Sequence, residues 1–257
     1  MDRRDFLKFS LQGLAAVTLS QGVYKIFQPL SVQAALPPVR WVFLVDTYKC
    51  IGCGFCVKAC KLENEIPFEA DVSRTWVERY VVTKEREVLT DAPKEARNGF
   101  TNPRMDLGMG RYREIRPDEI QKAFFVPKLC NQCDKPPCVQ VCPVGATYKT
   151  PDGVCLVDRK WCIGCGYCIM ACPYGMRFIH PVYRVAEKCN FCYHRITRGL
   201  KPTCVLACPV GARRIGNIAV PQDPITQIIQ TQRVEIHKPE YGTKPQVYYI
   251  GLSEEVR

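Results

Sequence analysis

Apolar residues in this chain come in short runs separated by long polar or cysteine-rich stretches. Val42-Phe43-Leu44-Val45, closed by Asp46, is a continuous apolar run that predicts a buried strand feeding directly into Cys50. Arg74 to Val82 alternates as a half-buried strand does, and Pro151-Asp152-Gly153 between two short apolar stretches predicts a hairpin. Beyond Gly216 the pattern predicts a short helix around Ile225 to Gln232 and strands at Arg233 to His237 and Gln246 to Ile250. Glu85 to Gln121 is polar and contains Pro103, Gly108 and Gly110. It is expected to be a long excursion, either a solvated loop or a surface for a partner.

The N-terminus is patterned differently. Arg3 and Arg4 precede Phe6, Leu7 and Lys8, then an apolar run from Leu11 to Leu19, then the small-residue site Val32-Gln33-Ala34. This resembles a twin-arginine export signal over residues 1–34, cleaved after Ala34, a route that carries proteins already folded around their cofactors. A retained signal would act as an anchor, and an amphipathic surface helix is the plainer alternative. Phe9 to Leu30 is long enough to span a bilayer, but Lys25 and three glutamines weaken it. The mature chain is therefore expected on the periplasmic side of the cytoplasmic membrane, peripheral or held by its signal.

Cysteine changes the picture most. Among 257 residues there are 17 cysteines, and residues 50–60 (CIGCGFCVKAC) recur almost unchanged at 162–172 (CIGCGYCIMAC). Sixteen cysteines fall into four groups: Cys50, Cys53, Cys56, Cys60; Cys130, Cys133, Cys138, Cys142; Cys162, Cys165, Cys168, Cys172; and Cys189, Cys192, Cys204, Cys208. A tight loop of three thiolates can reach three corners of a 4Fe-4S cube. In two-cluster ferredoxins the fourth cysteine, expected to start a short helix and followed by proline, ligates the neighbouring cube. Cys142-Pro143, Cys172-Pro173 and Cys208-Pro209 carry that proline, whereas Cys60 is followed by Lys61, so an atypical cluster is expected at Cys60 if anywhere.

Structural zinc wants two C-x-x-C pairs per metal, and cysteines three apart in tight loops rarely suit disulfides, so iron–sulfur ligation is the reading that fits. Two groups are stretched, by Asp134-Lys135-Pro136-Pro137 and by Tyr193 to Thr203. The second insertion brings in His194, Arg195, Arg198 and Lys201, cations that either raise a cluster potential or belong to a solvated loop. Cys155, in a strand-like run, is read as a packed thiol. His180, His194 and His237 share no motif and are read as hydrogen-bonded rather than ligating.

The formal charge of +11 would ordinarily suggest an anionic partner. Sixteen thiolates holding four cores of about +2 each would bring it down to about +3, so much of the basic excess neutralises cofactor rather than nucleic acid. No Ser-His-Asp arrangement or phosphate-binding glycine loop suggests independent catalysis.

With these groups, Cys60-Lys61-Leu62-Glu63-Asn64, Cys189-Asn190-Phe191-Cys192 and the tail Lys238 to Tyr249, residues 40 to 252 resemble the four-cluster ferredoxin-like beta subunits of membrane respiratory oxidoreductases. Such subunits accompany dimethyl sulfoxide, polysulfide and tetrathionate reductases, hydrogenases and the dissimilatory sulfite reduction complex. The resemblance implies an α+β fold of two nested ferredoxin-like modules, each holding two 4Fe-4S clusters. The outer module would be residues 35–129 with 189–215, carrying an insertion at 61–129; the inner would be 130–188, followed by an extension, 216–257. It also implies crossed ligation: Cys50, Cys53, Cys56 with Cys208; Cys189, Cys192, Cys204 with Cys60; Cys130, Cys133, Cys138 with Cys172; Cys162, Cys165, Cys168 with Cys142. Spacing alone leaves open that groups three and four pair as neighbours. The implied role is electron transfer within a hetero-oligomer, between an NrfD-type quinone-binding membrane subunit and a molybdopterin, hydrogenase or multihaem cytochrome subunit. A freely diffusing periplasmic polyferredoxin and a zinc-stapled scaffold are the alternatives.

Overall fold

β1 (Trp41–Asp46) opens the part of the chain that the computed structural model describes, residues 39–256. The export signal predicted over 1–34 lies outside those residues. In chain order there follow α1 (Phe55–Glu63), β2 (Thr75–Thr83), β3 (Val88–Asp91), β4 (Arg104–Asp106), β5 (Tyr112–Glu114) and β6 (Ile120–Leu129). Next come α2 (Pro137–Gln140), β7 (Thr147–Lys149), β8 (Cys155–Val157), α3 (Tyr167–Met170), β9 (Phe178–Ile179) and β10 (Ala186–Glu187). The last elements are α4 (Tyr193–Ile196), α5 (Thr203–Leu206), β11 (Arg213–Asn217), α6 (Pro224–Thr231), β12 (Val234–Glu235) and β13 (Val247–Ile250). Among the described residues no helix is long and apolar enough to cross a membrane.

The apolar run of β1 is buried on both faces because it lies inside a four-stranded sheet of order β11-β1-β13-β12. β1 pairs antiparallel with β11, Phe43 opposite Ile215, and parallel with β13, Phe43 opposite Val247. Phe43, Val45, Val247 and Tyr249 face the main core, and Val42 and Leu44 pack on the other face against Ile225, Ile228 and Ile229 of α6. Each such side chain contributes about 1.5–3 kcal/mol when fully buried. α6 begins where it does because the Asp223 carboxylate accepts from the Ile225 amide at 2.8 Å and Pro224 occupies its first turn.

The strand predicted over Arg74 to Val82 is present as β2, and the polar stretch Glu85 to Gln121, expected as a solvated loop or a partner surface, is folded. β2 pairs with β6, Thr75 opposite Leu129, and with β3, Val82 opposite Val88, while β4 and β5 form their own hairpin. Val81, Leu89, Met105 and Ile115 close a small separate core. These anchors lie too far apart in sequence to produce a period, so polarity hid them. Lys61 ties the excursion down from within α1: it is buried, donates to the Val72 carbonyl at 2.9 Å, and pairs with Glu95 at 3.3 Å. The hairpin at Pro151-Asp152-Gly153 is present as β7–β8. The Asp134–Lys135 insertion is held by the tail, their amides donating to Lys244 and Thr243 carbonyls at 2.9 and 3.0 Å.

Gly54 and Gly166 hold the N-termini of α1 and α3 at φ +75° and +80°, left-handed conformations that favour glycine. A Cβ on Gly54 would lie 2.1 Å from the Ala96 carbonyl oxygen, whereas nothing lies within 4 Å of one on Gly166. Both alanine variants carry backbone strain of about 1 kcal/mol, and only Gly54→Ala must also displace the excursion. Gly54→Ala is therefore expected to lower the thermal midpoint well beyond Gly166→Ala, at about 2–4 °C per kcal/mol for a chain of this size. Circular dichroism melts of anaerobic protein check it; equal shifts would refute the close approach.

Candidate functional site

Each cysteine group is a loop followed by a helix that carries the third cysteine. Cys138, Cys168 and Cys204 sit in α2, α3 and α5, and those helices close at Val141, Ala171 and Ala207. Cys142, Cys172 and Cys208 come immediately afterwards, so the fourth cysteine ends a helix rather than starting one, contrary to expectation. The physical reason is the following proline, which disfavours helical geometry in the residue before it. Group one has Lys61 instead, and α1 runs on through Cys60 to Glu63. After the proline the chain turns back on the sulfur: the Thr147 amide donates to Cys142 Sγ at 3.4 Å and the Ala212 amide to Cys208 Sγ at 3.2 Å. Burial would push the Cys142 thiol up, but the amides of Thr147, Val144 and Ala146 outweigh it and hold it below the usual thiol range.

The thiols collect across groups. Three enclosed cavities are lined respectively by Cys50, Cys53, Cys56 and Cys208; by Cys60, Cys189, Cys192 and Cys204; and by Cys130, Cys133, Cys138 and Cys172. Of the remaining four, Cys162 and Cys168 pack with Ala186, whose amide donates to Cys162 Sγ at 3.3 Å. Cys165 is exposed, and α2, which leads into Cys142, packs against α3.

These sets fit an iron–sulfur cube. All seventeen cysteines are free. No three His, Cys, Asp or Glu side chains among the described residues converge on a single metal ion. Three of the sets gather four thiols each around one cavity, the number of ligands that a cube takes. Burial pushes Cys50 up to about 11 and Cys133, Cys189 and Cys204 to about 12, so each needs a strongly cationic guest to act as a thiolate. Arg213 Nη1, beside two of the cavities, is buried with no hydrogen-bond partner among the described residues.

The cations that face sulfur are not those the sequence suggested. His194 and Arg195 bind the Glu63 carboxylate at 2.6 and 3.2 Å, and Arg198 and Lys201 are exposed beyond α4, so these cations serve a carboxylate and solvent. Arg177 instead donates to Cys138 Sγ at 3.1 Å and to Thr147 Oγ1 at 3.3 Å. Arg213 donates to Thr75 Oγ1 at 2.8 Å. Both sit fifth after the fourth cysteine, in Cys172-Pro173-Tyr174-Gly175-Met176-Arg177 and Cys208-Pro209-Val210-Gly211-Ala212-Arg213. That shared register is the signal that could have found them.

Cys155 lies buried in β8, its amide donating to Gln132 Oε1 at 2.7 Å, beside the cavity of Cys130, Cys133, Cys138 and Cys172. Burial pushes its thiol up to about 11. His180 Nδ1 accepts from the amides of Val182 and Tyr183, each at 3.2 Å. His237 is pushed down to about 4 by burial and the neighbouring Lys128 charge, and its Nε2 lies 3.2 Å from the Val256 carbonyl oxygen.

Two family models, each described as a 4Fe-4S dicluster domain, match residues 49–146 and 121–218, which together take in all four groups. The tetrathionate reductase B subunit of Salmonella typhimurium is 40% identical over 220 residues, covering 85% of this chain and 75% of that protein. The corresponding tetrathionate reductase protein of Archaeoglobus fulgidus is 40% identical over 214 residues, covering 83% of each. Protein NrfC of Escherichia coli is 35% identical over 214 residues, covering 82% of this chain and 81% of its own length. With thiol sets built for cubes and relatives matched over most of their length, the chain belongs to the family of iron–sulfur beta subunits of respiratory oxidoreductases.

Proposed function

We propose that the chain is the electron-transfer subunit of a periplasm-facing membrane respiratory complex and holds four 4Fe-4S clusters on its sixteen grouped cysteines. The ligand sets are Cys50, Cys53, Cys56, Cys208; Cys60, Cys189, Cys192, Cys204; Cys130, Cys133, Cys138, Cys172; and Cys142, Cys162, Cys165, Cys168. This is the crossed assignment, which makes residues 35–129 with 189–215 the outer module and 130–188 the inner one. When bound, each cluster supplies a one-electron couple, and the protein tunes it through burial, charge and hydrogen bonds to sulfur.

The observation that carries the relay is a row of neighbouring thiol sets with both ends near the surface. Cys56 and Cys204 are electrostatic neighbours, as are Cys189 and Cys130, and Cys138 and Cys168 pack in one cluster. At one end Cys165 is exposed, with Trp161 and Met170 at 67% and 75% exposure where the first copy of the repeat has Lys49 and Lys58. At the other, a groove of about 820 Å³ opens beside Cys50 and Ile51. Two accessible ends suit a subunit that takes an electron from one partner and gives it to another. An NrfD-type quinone-binding membrane subunit and a molybdopterin, hydrogenase or multihaem cytochrome subunit are the partners proposed. The names of relatives, the tetrathionate reductase B subunit among them, support a hetero-oligomer. The twin-arginine pattern over 1–34 supports export.

Two measurements test this. Anaerobic purification from gently solubilised native membranes is expected to recover the chain with a polytopic quinone-binding subunit and a catalytic or haem partner. Recovery alone from the soluble periplasm would instead make it a diffusible carrier. For the ligand sets, Cys172→Ser is expected to change the same EPR signal as Cys138→Ser and a different one from Cys168→Ser. If Cys172→Ser and Cys168→Ser altered one signal together, the crossed assignment would be wrong.

A further inference from the structure

Three buried cations stand between successive thiol sets. Arg213, 2% exposed, lines both outer cavities, that of Cys50, Cys53, Cys56, Cys208 and that of Cys60, Cys189, Cys192, Cys204. Lys188, 2% exposed, donates to the Cys155 carbonyl at the edge of the Cys130 set and, at 3.1 Å, to the carbonyl of Cys189 in the next. Arg177, 5% exposed, donates to Cys138 Sγ, and Cys138 packs with Cys168 of the last set. No carboxylate forms an ion pair with any of the three among the described residues. Burial alone would push Arg213 down, but Cys56, Cys204 and Cys50 outweigh it and raise it; Cys138, Cys130 and Cys168 do the same for Arg177.

We infer that Arg213, Lys188 and Arg177 are positioning residues for electron transfer, each setting the potentials of the two clusters on either side of it as a pair. The inference rests on the four-cluster reading above. A cube with four thiolates is an anion whose negative charge grows by one on reduction, so a nearby cation favours the reduced form and raises the potential. In a single transfer one cluster loses the electron and its neighbour gains it. A cation facing both attracts that electron before and after, so it eases reduction of both while changing little of the step between them. The three contacts overlap: Arg177 covers the inner pair, Lys188 the middle pair and Arg213 the outer pair. That is how they would link four couples into one graded path.

The test is an EPR-monitored redox titration of the full complex carrying Arg213→Gln, Lys188→Gln or Arg177→Gln, with iron content measured on each. Each variant is expected to lower two of the four midpoint potentials by about tenfold in the reduction equilibrium, about 59 mV for one electron. The other two should stay in place, and the three affected pairs should overlap in the order of the row. Arg213→Lys and Arg177→Lys, which keep the charge, should leave the potentials near those of the parent protein. A neutral variant with full iron that moves one potential, all four or none would overturn the inference. So would loss of iron from the neutral variants at all three positions, which would make these residues structural. A parent protein lacking the four signals would instead refute the four-cluster reading itself, so the two failures are distinguishable.

Discussion

A loop of three thiols spaced a few residues apart can face one side of a cube and no more, and in three sets the structure brings a fourth sulfur from a distant group. The topology follows from that shortfall. In groups two to four the proline after the fourth cysteine stops the helix just before that cysteine. β1–β11 pairing and the packing of α1 against α5 bring group one beside group four, and α2 against α3 does the same for groups two and three. The sheets and the tail hold these neighbours in place and leave twelve of the sulfurs facing three small cavities.

Much of this was legible in the sequence because cysteine spacing is a direct imprint of the guest. The four groups, β1, the β7–β8 hairpin, α6 and the final strands could be read from spacing, apolar runs and turn residues. Within the excursion β2 could be read as well, over Arg74 to Val82, but the stretch from β3 to β5 could not, because its small core is assembled from Val81, Leu89, Met105 and Ile115, residues with no local rhythm. The place where the helices stop was misjudged by a few residues, since Cys-Pro reads equally well as a start and as an end until the backbone is seen. Cations were the larger miss. Local clustering pointed to His194 and Arg195, yet these satisfy Glu63 at the surface, while Arg177 and Arg213 reach sulfur from a repeated register.

The basic balance of the chain takes on a different meaning in this light. Lys61, Arg74, Arg97, Arg177, Lys188 and Arg213 are all buried, a costly placement for charge unless anionic or carbonyl partners surround it. Lys61 has the carbonyls of the excursion and Glu95, Arg74 has Glu187 and two asparagines, and Arg97 has Glu69 and the Ala70 carbonyl. Arg177 and Arg213 have thiols and threonine hydroxyls instead of carboxylates, an arrangement that makes electrostatic sense when those sulfurs are thiolates. Positive charge that composition alone would assign to an external anion is in good part turned inward.

The placement of β13 has a consequence for how the molecule comes into being. It lies at the centre of the sheet, parallel to β1, with Phe43 opposite Val247. Among the described strands the first therefore waits for the last, and until then one flank of β1 is open. Closing so long a loop is entropically slow. Both outer thiol sets also draw sulfurs from the two ends of this interval, at Cys50 to Cys60 and at Cys189 to Cys208. The thiols of Cys50 to Cys60 thus stand without their cavity partners until Cys189 to Cys208 have been made, a long interval for a thiol-rich polypeptide to remain open.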